Sequence, residues 1–125
     1  NITDEVSMAL TKADQIIIGP SNPILSIGPI LSIQKIKEII SSHDDVTVVS
    51  PFINEKALKG PSDKNFNDFG FETNIKGLKD FYKDIANQFF VHKNEELEEN
   101  VRTWNILFSN KSVAIELAKE ILKNE

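Results

Sequence analysis

The sequence predicts an α/β domain, a largely parallel sheet with helices on both faces. Three observations carry this. Residues 16–18, 46–49 and 89–91 are apolar or β-branched runs too short for helices. Stretches with helical apolar spacing lie between and around them, and such alternation argues strands joined by crossover helices. All five prolines fall between Pro20 and Pro61, where they punctuate strand ends and helix starts. The first half is therefore expected to hold the site, and the second half to be scaffold.

Thr3 is a suitable N-cap, with Asp4 and Glu5 in the first helical turn. Val6, Ala9, Leu10 and Ala13 share one face of that helix. Residues 15–18 form the first strand, and the unbroken triple Ile16, Ile17, Ile18 implies burial on both sides. Gly19-Pro20 stops it, because proline has no N–H for the ladder. Ser21, Asn22 and Pro23 make a polar turn, and Pro29 suits the first position of the next helix. Ile33, Ile36, Ile39 and Ile40 share a helical face that ends at Ser41-Ser42. Asp44-Asp45 is a turn before the second buried strand, Val46 to Val49.

Ser50-Pro51 ends that strand, and a lysine-rich loop follows. Pro61 opens a short helix with Phe66 and Phe69 as its apolar positions and Gly70 as the residue after its end. Ile75, Leu78, Phe81, Tyr82 and Ile85 form another helical face, weakened by Gly77. Phe89, Phe90 and Val91 are the third strand. Asn94 caps a helix with Leu97 and Val101 facing inward, and residues 105–108 make a weaker fourth strand. Asn110 caps the last helix, whose buried stripe is Val113, Ala114, Leu117, Ala118, Ile121 and Leu122.

A strand, a polar turn and a helix start form the arrangement around which open α/β sheets bind ligands. Ser21, Asn22, Ser26 and Gly28 offer hydroxyls, an amide and backbone N–H groups to an anion; the plainer reading is a capped turn. A helix start contributes only ~0.3–1 kcal/mol to an exposed anion, whereas micromolar binding takes about 8 kcal/mol. The turn alone therefore cannot hold a charged ligand. Lys56, Lys59 and Lys64 lie on or beside the loop after the second strand. They face the same edge as the turn if the two strands are parallel neighbours, and would neutralise phosphate there; otherwise they are solvated lysines. His43 and His92 show no metal-pair spacing and read as turn and strand-end residues. Asp63 and Asp68 read as a helix cap and an exposed acid rather than magnesium ligands. The Glu95, Glu96, Glu98, Glu99 run reads as a solvated helix face.

Two blocks carry a resemblance. Gly19-Pro20-Ser21-Asn22-Pro23 with Ser26-Ile27-Gly28-Pro29-Ile30-Leu31 is similar to the signature of the 2-phospho-L-lactate transferases. Val49-Ser50-Pro51, Lys56-Ala57, Lys59-Gly60-Pro61 and Lys64 agree with it in order and spacing. The resemblance implies a Rossmann-like transferase. It moves a 2-phospholactyl, or related phosphoenolpyruvyl, group from a guanosine diphosphate-linked donor to the deazaflavin alcohol Fo, releases GMP, and serves coenzyme F-420 biosynthesis of the archaeal type. Magnesium is the implied cofactor. Ser21, Asn22, Pro23, Ser26, Ile27, Gly28, Lys56, Lys59 and Lys64 become the expected substrate- and phosphate-binding residues; catalytic residues and metal ligands are not assigned. A related family of gluconeogenesis and cell-shape factors, which bind a nucleotide sugar without catalysis, is the alternative. Its turn resembles Gly-Pro-Gly-Ser-Leu where this chain has Gly-Pro-Ser-Asn-Pro. The second half departs from the transferase pattern. Thr103-Trp104-Asn105 stands in place of a Thr-Asp-Thr-like segment, and residues 76–82 lack a histidine near the tyrosine.

The chain has 125 residues, the size of one modest domain. It starts at Asn1 and holds no glycine-rich nucleotide loop. With the resemblance, this reads as a partial domain: residues 1–125 as the carboxyl-terminal α/β portion of a longer transferase, without its amino-terminal nucleotide-loop portion. A net charge of −5 argues against a nucleic-acid surface. No apolar run approaches the ~20 residues of a membrane span. The chain has no cysteine, which excludes disulfides and is compatible with a cytoplasmic location. A homodimer is left open.

Overall fold

A computed structural model describes residues 2–53, 56–57, 61–92, 100–104, 106 and 111–123. Helix α1 (Asp4–Lys12) leads into β1 (Ile16–Ile18). A π-helical turn (Pro23–Ile27) runs into α2 (Gly28–Leu31), then α3 (Gln34–Ser41) and β2 (Val46–Val49). A two-stranded ribbon, β3 (Phe52–Ile53) with β4 (Lys56–Ala57), precedes α4 (Ser62–Asp68) and α5 (Ile75–Phe81). The described chain closes with β5 (Gln88–His92), β6 (Val101–Trp104) and α6 (Lys111–Lys123).

The main sheet has the order β1-β2-β5-β6, and every pairing in it is parallel. All four carboxyl ends therefore open on one edge. Ile16, Ile18, Val46, Val48, Phe89, Val91 and Val101 face a first core, closed by Ile36 and Ile40 of α3, Phe66 of α4 and Ile75 and Leu78 of α5. The opposite face carries a smaller core of Val49, Phe90, Ile106 and the α6 residues Leu117 and Ile121. Helices on both faces of a parallel sheet is what the alternation predicted.

Tyr82, 1% exposed, packs edge-on to Phe81 with ring centroids 4.8 Å apart. Burial raises its phenol pKa, so it stays neutral. Phe66 stacks on Phe71 at 4.9 Å and meets Phe52 at 5.4 Å. Two side chains fix α6. Gln15 Nε2 donates to Thr47 Oγ1 and to the Ile121 carbonyl, both at 3.3 Å. Arg102 Nη2 donates to the Glu120 carbonyl at 2.7 Å, while its guanidinium lies 4.4 Å from the Phe90 ring centroid. Cations and donors at a helix carboxyl end satisfy carbonyls that have no partner inside the helix.

Several expectations are corrected. Ile17 is 43% exposed, because β1 is an edge strand and its outer-face side chain lies in a groove beside α6 rather than under a helix. Val101 lies in β6 (Val101–Trp104), not on a helix; of the strand expected at 105–108 only Ile106 is described, and it belongs to no strand, while 105, 107 and 108 lie outside the described residues. The helix expected after Asn94, and the caps at Asn94 and Asn110, lie outside the described residues. Only Leu117 and Ile121 of the last stripe are buried; Leu122 is 65% exposed, since the small core reaches just one side of α6. No residue of α1 is buried, although Thr3 Oγ1 accepts from Val6 N–H as expected. Leu10 and Ala13 lean on the first core. Phe69 is 66% exposed because α4 has ended, and Gly70 takes the expected left-handed turn at φ +88°.

Candidate functional site

The turn after β1 is more tightly folded than its sequence predicts. Helical backbone starts at Pro23, with Asn22 as the N-cap, and passes without a break through Gly28 into α2. Pro29 therefore sits in the opening turn of α2, inside a path that is already helical. Asn22 Oδ1 accepts from Ile24 N–H at 3.0 Å and Leu25 N–H at 3.1 Å. Its Nδ2 donates to Asn65 Oδ1 of α4 at 2.9 Å. The side chain that sequence placed in an open turn is thus held at both ends.

Most backbone amides of this stretch are committed as well. Ser21 N–H donates to the Gly19 carbonyl, and the Ser26 and Ile27 N–H groups both donate to the Asn22 carbonyl. Gly28 N–H donates to the Pro23 carbonyl. Pro20 and Pro23 have no N–H to offer. Gly28 suits that close approach, since a Cβ there would lie a tight 3.0 Å from the Pro23 carbonyl oxygen.

On the second strand, Ser50 N–H donates to the Phe90 carbonyl and Ser50 Oγ accepts from Phe52 N–H at 3.1 Å. That turn folds the expected lysine loop into the β3–β4 ribbon. Because β1 and β2 are parallel neighbours, both turns open on the same edge. They meet there in a pocket of about 240 Å³. Pro20, Ser21, Asn22 and Ser26 line it from the first block, and Pro51, Pro61 and Ser62 from the second.

Of the expected residues, Ser21, Asn22 and Ser26 line this pocket. Pro23 is buried beneath the turn, and Ile27 leans half-buried on the first core. Gly28 is partly buried in the helical path. Lys56 on β4 and Lys64 on α4 are exposed and do not line the pocket. Lys59 lies outside the described residues. Ser62 was missed by the sequence reading; its signal was its place directly after Gly60-Pro61, at the start of α4.

The histidines behave as read. His43 Nδ1 accepts from Asp45 N–H at 3.0 Å, which leaves the proton on Nε2 to donate to the Ala13 carbonyl at 2.6 Å. His92 is 9% exposed at the end of β5, and its Nδ1 has no hydrogen-bond partner among the described residues. Among the described residues no group of three or more acidic or histidine side chains is arranged to hold a metal. Also among them, no helix is long and apolar enough to cross a membrane.

The family model described as 2-phospho-L-lactate transferase CofD matches residues 1–123. A 2-phospho-L-lactate transferase of Methanocaldococcus jannaschii is 37% identical over 120 residues, covering 92% of this chain and 38% of the relative. One from Methanopyrus kandleri is 36% identical, with 91% of this chain and 39% of the relative covered. One from Methanococcus vannielii is 35% identical, with 96% and 40% covered. The chain thus spans about two-fifths of the length of these relatives. The two motif blocks, which meet in one pocket at the sheet edge, lie within the matched residues, and the chain belongs to the CofD family of 2-phospho-L-lactate transferases.

Proposed function

We propose that this chain serves transfer of a 2-phospholactyl, or related phosphoenolpyruvyl, group from a guanosine diphosphate-linked donor to the deazaflavin alcohol Fo, in coenzyme F-420 biosynthesis. The observation that supports this reading most is the meeting of two separate motif blocks in one pocket at the carboxyl edge of the sheet. In the transfer, the acceptor hydroxyl oxygen forms a bond to the phosphorus next to the acyl group. The bond from that phosphorus to the bridging oxygen breaks, GMP leaves with its electron pair, and the hydroxyl proton is lost. Such chemistry relies largely on positioning, and a pocket built on strand ends and helix starts is suited to it. Lys56, Lys59 and Lys64 are the cations we assign to the phosphates of the donor.

A magnesium ion would supply charge neutralisation at the diphosphate. The described residues do not form a set of ligands for it, so no step is assigned to it here. The noncatalytic nucleotide-sugar reading is less well supported, because every relative compared above is named a transferase. We further propose that the portion of the family's length not spanned by this chain is needed for turnover. The test is incubation with donor, Fo and magnesium, with mass spectrometry for the phospholactylated deazaflavin. A protein of the relatives' full length that contains this sequence is expected to give product, and the 125 residues alone none. Tight binding of a UDP-linked sugar by the longer protein, without product, would overturn the transferase reading.

A further inference from the structure

The sheet stops at β1 without the devices that normally close an edge. Along a parallel strand, successive residues direct their N–H and C=O groups to opposite neighbours. Ile16 N–H donates to the Asp45 carbonyl, on the β2 side, at 2.9 Å. The N–H and C=O of Ile17 therefore point to the open side, where they have no partner among the described residues. Proteins blunt such edges with charges, proline or a bulge in the strand. β1 has none of these: it is three isoleucines in a row, and the middle one is exposed.

Both faces beside that edge are unfinished as well. On the α6 face, Ile17 and Val49 line an apolar groove with Ala114, Ala118 and Leu122. On the first-core face, α3 makes the crossover from β1 to β2, and α4 with α5 makes the one from β2 to β5. α1 packs against α3, so the place left for it on that face is the outer flank, beyond β1. With no strand beneath it, none of its residues is buried, and Val6 and Met8 are exposed. An added strand would find a ladder partner in β1, a helix over one face and an apolar groove against the other. The occupant must bring a strand and further apolar cover, which calls for a folded piece of chain. This chain covers 38–40% of relatives that match it along more than nine-tenths of its own length, so about three-fifths of the family's length lies outside it.

We propose that the open side of β1 is where the remaining part of the family's chain docks, as a strand parallel to β1 between α1 and the α6 groove. Parallel pairing continues the pattern of every pair in the main sheet, and a parallel sheet is covered on both faces. The inference rests on family membership and the open edge, not on the transfer reaction, and its test reads no product. Amide hydrogen exchange is followed residue by residue in the 125-residue chain and in a protein of the relatives' full length that contains this sequence. In the 125-residue chain, the Ile17 amide is expected to exchange much faster than those of Ile16 and Ile18, which bond to β2. In the longer protein, all three are expected to be protected alike. The pair Ile17→Glu and Leu122→Glu should leave the melting temperature of the 125-residue chain nearly unchanged. It should lower that of the longer protein by several degrees, because only there would the new charges be buried. Fast exchange of Ile17 in the folded longer protein would overturn the proposal, even if that protein makes product. Protection of Ile17 in the 125-residue chain that grows with protein concentration would also overturn it, since a second copy would then hold the edge. Protection in the longer protein without product would keep the docking surface and discard the transferase reading.

Discussion

Asn22 shows how a residue marked as a ligand contact serves the fold first. Its carbonyl oxygen caps two amides and its amide nitrogen reaches Asn65, 43 positions away. Loss of an N-cap costs about 0.5–2 kcal/mol, and here the partner amide would also be left short of a hydrogen bond. Asn22→Ala is therefore expected to lower stability by about 1–2 kcal/mol, read as a lower melting temperature. An unchanged melting temperature would mean that the bridge carries no weight. Gly77 teaches the same lesson from the other side. Sequence alone reads it as a weak point in α5, yet a Cβ there would come within 1.7 Å of the Glu72 carbonyl oxygen. Helix propensity was legible from the sequence; the close approach of residue 72 was not, because it depends on the path the backbone takes into the Asn74 cap.

At the scale of elements, strands and most helices followed the apolar periodicity closely. The strand Val46–Val49, buried at every position, was fully legible, since an all-apolar or β-branched run has few other homes. The strand Val101–Trp104 was not expected, and the cause is simple. Val101, Arg102, Thr103 and Trp104 mix apolar and polar residues, and a half-covered edge strand tolerates that mixture where a central strand does not. The meeting of the two motif blocks was legible only as a condition, namely that the first two strands be parallel neighbours. Ser62 was invisible because a serine at a helix start carries no distinguishing pattern. The docking of α6 was also hidden, since it depends on Gln15 and Arg102, which are far from it in sequence. Arg102 is part-exposed, so its ion pair with Glu120, at 3.8 Å, is screened and adds little. Its bond to the Glu120 carbonyl and its place over Phe90 matter more. Arg102→Ala should thus cost about 1 kcal/mol in urea unfolding, with Arg102→Lys recovering only part of the loss because an ammonium lacks the planar fork.

On the scale of the whole molecule, the sheet divides two cores of unequal size. The larger holds α3, α4 and α5 with a cluster of aromatic rings; the smaller holds α6 through Leu117 and Ile121. A groove of about 260 Å³, lined by Ile17, Val49 and α6 residues that include Ala114 and Ala118, already separates α6 from β1. This asymmetry sets an order in time. Regions held by few apolar contacts open before the molecule unfolds as a whole. In native-state hydrogen exchange, the α6 amides are expected to exchange through a local opening, while those of β2 and β5 exchange only with global unfolding. Equal protection of α6 and the central strands would refute that order. The turn at residues 21–28 presents the opposite case. By position it is a surface loop, but the amides of Ser21, Ile24, Leu25, Ser26, Ile27 and Gly28 all donate within it, so these protons should leave at the slow rate of a helix rather than the fast rate of a loop. The pocket wall would then already be rigid before any ligand arrives, and binding there would not have to pay for its ordering.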